Sequence, residues 1–295
     1  IGESKNILTI RDQIDKISLT ESRILLNGPS GSGKELVARK IHKNSKRSNK
    51  PFVILNGALL DSNKYELELF GEEKNNGSIS YGSLEKATGG TLLIDEISEI
   101  PLETQSKILR VLTDQKFKRI NGNHDVKVDV RIICTSSKNI INEIKLGNFH
   151  EDLFYRLNVF QIIIEPLSKR VEDIPLLVDY FSTKISNSYN LKKLNIKGDN
   201  SYLINHTWPG NVRELRNLIE RVAILANNNI DKISTIIKES IKQEENEVYS
   251  ESNFSIPLKE ARENFEKDYL TTQLKKFGGN VSKTAKFVGM ERSAL

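Results

Sequence analysis

The run Gly28-Pro29-Ser30-Gly31-Ser32-Gly33-Lys34-Glu35 follows directly on the apolar stretch Ile24-Leu25-Leu26. A strand, a glycine-rich turn and a helix start in that order form the arrangement that cradles nucleotide phosphates. The glycines let backbone N–H groups converge on a β-phosphate, and the helix N-terminus adds its partial positive charge. Lys34 is placed to reach the β- and γ-phosphates. Glu35 stands where the strict pattern has Ser or Thr, so this run alone leaves an ordinary turn between strand and helix as the alternative.

A second segment supplies the other half of a site. Thr91-Leu92-Leu93-Ile94-Asp95-Glu96 is a short apolar strand that follows Gly89-Gly90 and ends in two carboxylates. Buried parallel strands are almost continuously apolar, and ligands collect at their carboxyl ends. There Asp95 is suited to hold Mg²⁺ through water, and Glu96 to polarise an attacking water. Together the two segments predict an ATP site.

The 295 residues, 37% of them hydrophobic, supply material for more than one domain. No apolar run has membrane-spanning length and no signal peptide opens the chain, so no membrane contact is expected. The single cysteine, Cys134, lies in the apolar run Val130-Arg131-Ile132-Ile133-Cys134 and reads as a core residue. With one cysteine no disulfide framework exists within the chain, which fits a reducing cytoplasm. A net charge of +5 permits nucleic-acid binding without demanding it.

Strand candidates at 23–27, 52–56, 91–95, 128–135 and 159–164 alternate with helical patterns at 34–43, 103–114 and 150–157. That alternation predicts a doubly wound parallel α/β sheet over residues 1–168. Residues 169–241 carry helical spacing instead. Ile174, Leu177, Val178 and Phe181 form one stripe, and Leu215, Leu218, Ile219, Val222 and Leu225 another. Residues 242–256 are polar and read as a linker. Residues 257–295 then predict a helix over 258–277 with Leu258, Ala261, Phe265, Tyr269 and Leu270 roughly on one side. Gly278-Gly279-Asn280 reads as its C-cap turn. A short helix from Val281 to Phe287, a turn at Gly289 and a further helix start at Glu291 complete a helix-turn-helix pattern, which an ordinary helical hairpin would also satisfy.

With these segments placed, the chain resembles the central ATPase of bacterial enhancer-binding transcription activators, the NtrC-like AAA+ response regulators. The resemblance is carried by Gly31–Ala38, Glu68-Leu69-Phe70-Gly71, Gly89–Ile97, Val128–Ile133, Glu151-Asp152-Leu153-Phe154-Tyr155-Arg156-Leu157 and Trp208-Pro209-Gly210-Asn211-Val212-Arg213-Glu214-Leu215. It implies an AAA+ P-loop NTPase with a helical lid subdomain, followed by a Fis-type DNA-binding domain. In that family Glu follows the P-loop lysine, as Glu35 does. Asn56 matches an asparagine that hydrogen-bonds the catalytic glutamate, the bland alternative being a strand-end turn. Arg156 matches an arginine finger that enters the neighbouring subunit's site, the alternative being a surface ion pair. Arg213 matches the sensor arginine of the lid. Ile1-Gly2 matches an apolar strip near adenine. The family self-associates as dimers or rings, meets RNA polymerase and takes its signal from a sensor histidine kinase through an N-terminal receiver domain. The sequence begins directly at the ATPase, so either a fragment or a protein without the receiver is expected, and it stops inside the expected recognition helix, as a truncated piece would.

Three departures from the family bear on function. The Gly-Ala-Phe-Thr-Gly-Ala loop that touches the σ54 subunit is absent, and the segment Glu72 to Leu84 is shorter. Residues 74–82, with only Ile79 and Tyr81 as large apolar groups, read as a mobile loop. Ser137 stands where a sensor asparagine is usual, and His150 where the first interface arginine is usual; a histidine titrates near neutral pH. Slow or partner-dependent hydrolysis is the expectation. The shortened loop looks most like the NtrX branch, which implies a two-component transcriptional regulator that binds DNA and ATP without relying on σ54. The alternatives are a conventional σ54 activator and a remodelling AAA+ enzyme with no DNA role. The helix-turn-helix pattern argues against the last.

Overall fold

The computed structural model describes residues 1–58, 64–74, 77–189, 194, 196, 201–226, 232–241, scattered positions from 262 to 274, 277 and 280–290. Two compact units divide the chain, Ile1–Ile233 and Ser234–Leu295.

In the first unit, helix α1 (Lys5–Ser18) precedes strand β1 (Ile24–Asn27) and helix α2 (Lys34–Lys43). Strand β2 (Phe52–Asn56), helix α3 (Tyr65–Phe70), the paired strands β3 (Gly71–Glu73) and β4 (Ile79–Tyr81) and helix α4 (Ser83–Lys86) come next. They are followed by β5 (Thr91–Asp95), α5 (Leu102–Asp114), the hairpin of β6 (Lys116–Lys118) and β7 (Asp125–Lys127), β8 (Arg131–Ser136), α6 (Ile140–Lys145), α7 (Glu151–Leu157) and β9 (Phe160–Ile163). The five expected strands make one parallel sheet in the order β2-β5-β8-β1-β9. β8 starts later than the run 128–135 suggests, because Val128 instead donates its N–H to Gln115 O.

The inner strands β1, β5 and β8 are mostly apolar and buried because both sheet faces are covered there, while the edge strand β9 leaves Gln161 and Ile163 exposed. Leu25, Leu92, Ile94, Ile132 and Cys134 face one core, shared with α3 and α5. Ile24, Leu26, Leu93 and Ile133 face the other, shared with α1 and α2. The period of two along a strand sends neighbours to opposite cores. Cys134 is fully buried, and burial pushes its thiol far above the ordinary range, as befits a core residue. The alternation read from sequence misses α1. Its Ile10, Ile14 and Ile17 recur at helical spacing and are buried on the second core.

Helices α8 (Ile174–Tyr189), α9 (Ser201–Asn205) and α10 (Asn211–Ala226) form the helical part of this unit, with α8 packed on α10. Ile174, Leu177 and Val178 are buried as expected, while Phe181 is only half-buried. On α10, Leu215, Leu218, Ile219 and Val222 are buried, but Leu225 is 58% exposed. Ala226 takes the buried place instead, because eleven residues complete about three turns and return to the azimuth of Leu215.

The segment expected to be a mobile loop is a short hairpin. β3 and β4 pair antiparallel from Gly71↔Tyr81 to Glu73↔Ile79, and Lys74 N donates to Ser78 O. Residues 75 and 76, at its tip, lie outside the described residues.

In the second unit, helix Val281–Val288 begins at Asn280, whose side chain accepts from Lys283 N, and ends at Gly289 with φ 77°. Asn280 thus caps the start of this helix rather than the end of the preceding one. Tyr269 and Leu270 are helical, and the ring of Phe277 lies 5.2 Å from that of Phe287. The linker 242–256, Leu258, Ala261, Phe265, Gly278, Gly279 and the start at Glu291 lie outside the described residues. No helix among the described residues is long and apolar enough to cross a membrane.

Candidate functional site at the carboxyl edge of the sheet

Because all five strands run parallel, the residues after β1, β2, β5 and β8 collect at one edge. Gly28 continues β1 and donates its N–H to Ser136 O. Gly31 and Gly33 lie in the left-handed region, at φ 73° and 107°, which lets the chain turn tightly into α2. Lys34 opens α2 and is 5% exposed. Its Nζ donates to Gly28 O at 2.8 Å and Pro29 O at 3.4 Å, and meets Glu96 Oε1 at 3.0 Å. All three ammonium donors are thereby used.

Glu96 itself has φ 54°. This left-handed backbone is costly for a non-glycine residue and typical of functional sites. Its Oε2 accepts from Ser137 N at 2.7 Å and Ser137 Oγ at 2.8 Å. Burial alone raises its pKa, but Lys34 and the two Ser137 donors outweigh that, so the pKa lies below its ordinary value. Glu96 is therefore ionised at neutral pH. Thr135 joins the two carboxylates: its hydroxyl donates to Asp95 Oδ1 at 2.6 Å and accepts from Glu96 N–H at 2.9 Å.

Asn56 lies opposite Asp95 in the sheet register, yet its Oδ1 accepts from Ala58 N. The expected hydrogen bond to Glu96 is not made here. The strand order explains why: Asn56 closes β2 on one side of β5, while Ser137 and Lys34 follow β8 and β1 on the other. Glu96 is drawn towards the second side. Glu35 pairs with Arg39 at 2.7 Å on the helix surface.

The helical layer closes over the loop. Arg213 Nη1 donates to Ser30 Oγ at 3.2 Å, where a sensor arginine is expected. Two residues without a role in the sequence reading anchor this contact. Asn211 donates to Ser30 O and accepts from Leu167 N, and buried Arg170 donates to Ser32 O. Arg170 also approaches the fully buried Asp173, which accepts from Glu3 N, Ser4 N and Ser4 Oγ. Gly2 fits because a Cβ there would fall 2.7 Å from the Asp173 carboxylate. Ile1, 53% exposed, lies at the rim of a cavity of about 400 Å³ shared with Leu176 and Tyr180. The signal for these anchors was the polar residue inside an apolar or turn segment, and only tertiary contact gives it meaning.

Two residues expected near a subunit interface, His150 and Arg156, lie at the start and in the last turn of α7. His150 Nε2 meets Ser106 Oγ at 3.0 Å and Leu102 O at 3.1 Å, which holds the ring against α5. Arg156 is exposed on α7 and has no carboxylate partner among the described residues. It lies near the amino edge of the sheet, since α7 leads into Phe160, the register partner of Ile24.

The residues present fit a nucleotide. The buried Ser32 Oγ has no hydrogen-bond partner among the described residues, and Lys34 rests on the loop's own carbonyls. Among the described residues no group of three or more His, Cys, Asp or Glu side chains is arranged to hold a metal ion. Mg²⁺ needs no such cluster, because phosphates and water complete its shell around one or two carboxylates. Gly31→Ala should destabilise the chain by about 1–3 kcal/mol, since its φ is left-handed and its Cβ would meet Gly210 O at 2.2 Å. A urea midpoint unchanged from wild type would contradict that packing.

Residues 1–163 match the family described as the sigma-54 interaction domain, 168–253 the AAA+ ATPase lid domain, and 261–295 the bacterial regulatory proteins of the Fis family. The whole chain is 46% identical to the nitrogen assimilation regulatory protein NtrX of Azorhizobium caulinodans and spans 67% of its length. It is 44% identical to an NtrX-like response regulator of Rickettsia felis and spans 64% of that protein. The crystal structure of NtrX from Brucella abortus aligns over 100% of this chain and 67% of its own, with TM-score 0.77 and 45% identity. The same protein in complex with ATP aligns over the same shares, with TM-score 0.74 and 43% identity. The chain therefore belongs to the sigma-54 interaction domain family of AAA+ P-loop proteins, carries that family's lid and a Fis-family segment, and is similar throughout its length to NtrX.

Proposed function

We propose that this chain is the ATP- and DNA-binding part of an NtrX-like transcriptional regulator of a two-component pathway. The observation that carries the reading is the convergence of Lys34, Asp95, Glu96 and Arg213 around one glycine-rich loop. ATP is the substrate, as the ATP complex of the Brucella abortus relative suggests. Backbone N–H groups of Gly28–Glu35 and the Lys34 ammonium hold its phosphates. When Mg²⁺ is bound it neutralises phosphate charge; Asp95, oriented by Thr135, would hold it through water.

Hydrolysis requires a rearrangement at Glu96. Lys34 leaves Glu96 for the phosphates, which frees one carboxylate oxygen to orient water, while Ser137 keeps the other. Asn56, one strand away, is the donor that would hold a second Glu96 orientation through its side-chain amide N–H. Arg213 reads the phosphate state from the lid, and Arg156 enters the neighbouring subunit's site in a dimer or ring. Each cycle begins by breaking a shielded ion pair, which supports slow hydrolysis. Ile1 lies on the adenine side of this site. A receiver domain in the longer protein would couple it to a sensor histidine kinase, the Fis-type segment would bind DNA, and the protein would act in the cytoplasm.

Regulation runs through DNA rather than through σ54. The contact loop is replaced by the β3–β4 hairpin, which is fixed to the β6–β7 hairpin. Glu73 N donates to Ile120 O, Ile120 N to Gly71 O, and Arg119 pairs with both Glu73 and Glu85. A hairpin held at its base in this way has little freedom to extend towards a partner. The second reading, a σ54-dependent activator that engages RNA polymerase, is favoured by the exposure of Ile79 and Tyr81, 43% and 57%. Co-sedimentation with σ54 in a transition-state-mimicking nucleotide separates the two. No complex is expected, because a binding hot spot needs a buried aromatic or aliphatic anchor. A complex that is lost in Tyr81→Ala would establish the second reading.

A further inference from the structure

We propose that Arg23 is a positioning residue for the Arg156 finger; the inference rests on reading Arg156 as acting in the neighbouring subunit's site. Arg23 lies just before β1, at the amino edge of the sheet and away from the glycine-rich loop. Its Nη1 donates to Arg156 O at 3.1 Å and its Nη2 to Leu112 O at 3.1 Å. Both acceptors belong to the last turns of helices, α7 ending at Leu157 and α5 at Asp114. Such carbonyls have no partner within their own helix. In α7 the next N–H groups are already committed, Asn158 to Phe154 O and Val159 to Leu157 O, which leaves Arg156 O to Arg23.

One guanidinium thus closes two helix ends. The planar fork of an arginine matches two carbonyls at once, and a cation is favoured at a helix C-terminus. The consequence for Arg156 is geometric. Its backbone is tied to the end of α5 and the start of β1, so the side chain leaves from a fixed point. Burial lowers the Arg23 pKa and the neighbouring Arg156 charge lowers it further, a sign that the two guanidinium groups repel. Arg156 is exposed and without a carboxylate partner among the described residues, so it is free for a neighbouring subunit to meet.

The test uses the full chain and complementation between subunits. Arg23→Ala should lower ATP turnover by about ten- to a hundredfold, the scale of a misplaced catalytic group, with nucleotide affinity and melting temperature close to wild type. Arg23→Lys should recover part of the loss, since an ammonium keeps the charge but not the fork. Lys34→Ala subunits lack a working loop yet carry an intact finger. Mixing them with Arg23→Ala subunits should therefore restore turnover above either variant alone, as mixing them with Arg156→Ala should. Wild-type turnover in Arg23→Ala alongside an inactive Arg156→Ala would overturn the role of Arg23 and leave the trans-acting finger standing. Low Arg23→Ala turnover that Lys34→Ala does not restore, where Arg156→Ala is restored, would also overturn it. If Lys34→Ala restores neither, the trans-acting finger itself falls, and the role of Arg23 with it. Should Arg23→Ala fail to fold, Arg23→Gln, which keeps a donor for one carbonyl, replaces it with the same outcomes.

Discussion

Arg156→Ala is expected to lower ATP turnover by about 10³–10⁵-fold while ATP affinity stays that of the wild type. An arginine finger stabilises charge that develops in the transition state, so its loss appears in the rate rather than in binding. On the proposed reading the effect acts between subunits. Arg156 lies by the amino edge of the sheet and the glycine-rich loop by the carboxyl edge. The four residues of β1 separate the two edges by roughly 13 Å, at about 3.3 Å per residue. Specific activity should accordingly rise with protein concentration. Turnover that is independent of concentration and untouched by Arg156→Ala would refute a finger supplied in trans.

Lys34→Ala is expected to weaken ATP binding by roughly 10- to 150-fold, as removal of a charge-assisted contact costs about 1.5–3 kcal/mol. The ammonium is 5% exposed and rests on the loop's own carbonyls, while Arg170 and Arg213 reach the loop from the helical layer. Titration calorimetry reads the effect directly, and an unchanged affinity would mean the loop does not hold phosphate. The same substitution has a second consequence in the nucleotide-free protein. The Glu96 pKa lies below its ordinary 4.5. A depressed carboxylate pKa stabilises the folded chain above the unfolded-state value and loses that contribution as the pH falls through the folded-state value. Without Lys34 the depression is smaller, so the acid limb of the stability profile should be flatter in Lys34→Ala.

The glycine-rich run and the apolar strand ending in Asp95-Glu96 were legible because both depend on local covalent structure. A strand buried on both faces must be apolar throughout, and a phosphate-binding turn must hold glycines where φ is positive. The five strands of the sheet followed from that pattern with little loss. Helix α1 did not, although Ile10, Ile14 and Ile17 carry its period, because charged residues between them conceal the stripe. Leu225 reads as core by residue type and is exposed by azimuth. The hairpin at β3–β4 reads as a mobile loop in sequence because its order comes from Ile120 and Arg119, some forty residues away.

The site shows the same division. Residue types at the carboxyl edge, Lys34, Asp95, Glu96, Asn56 and Arg213, were set by the chain's own pattern and its resemblance to a family. Which of them touch was decided by strand order alone. With β8 and β1 on one side of β5 and β2 on the other, Glu96 meets Ser137 and Lys34 rather than Asn56. Asn211, Arg170 and Asp173 gained their roles only when residues more than a hundred positions distant came within hydrogen-bond reach. The linear pattern of a chain fixes what each segment can become, because propensity and periodicity are local. A hydrogen bond between segments is a property of their packing, and only the tertiary structure specifies it.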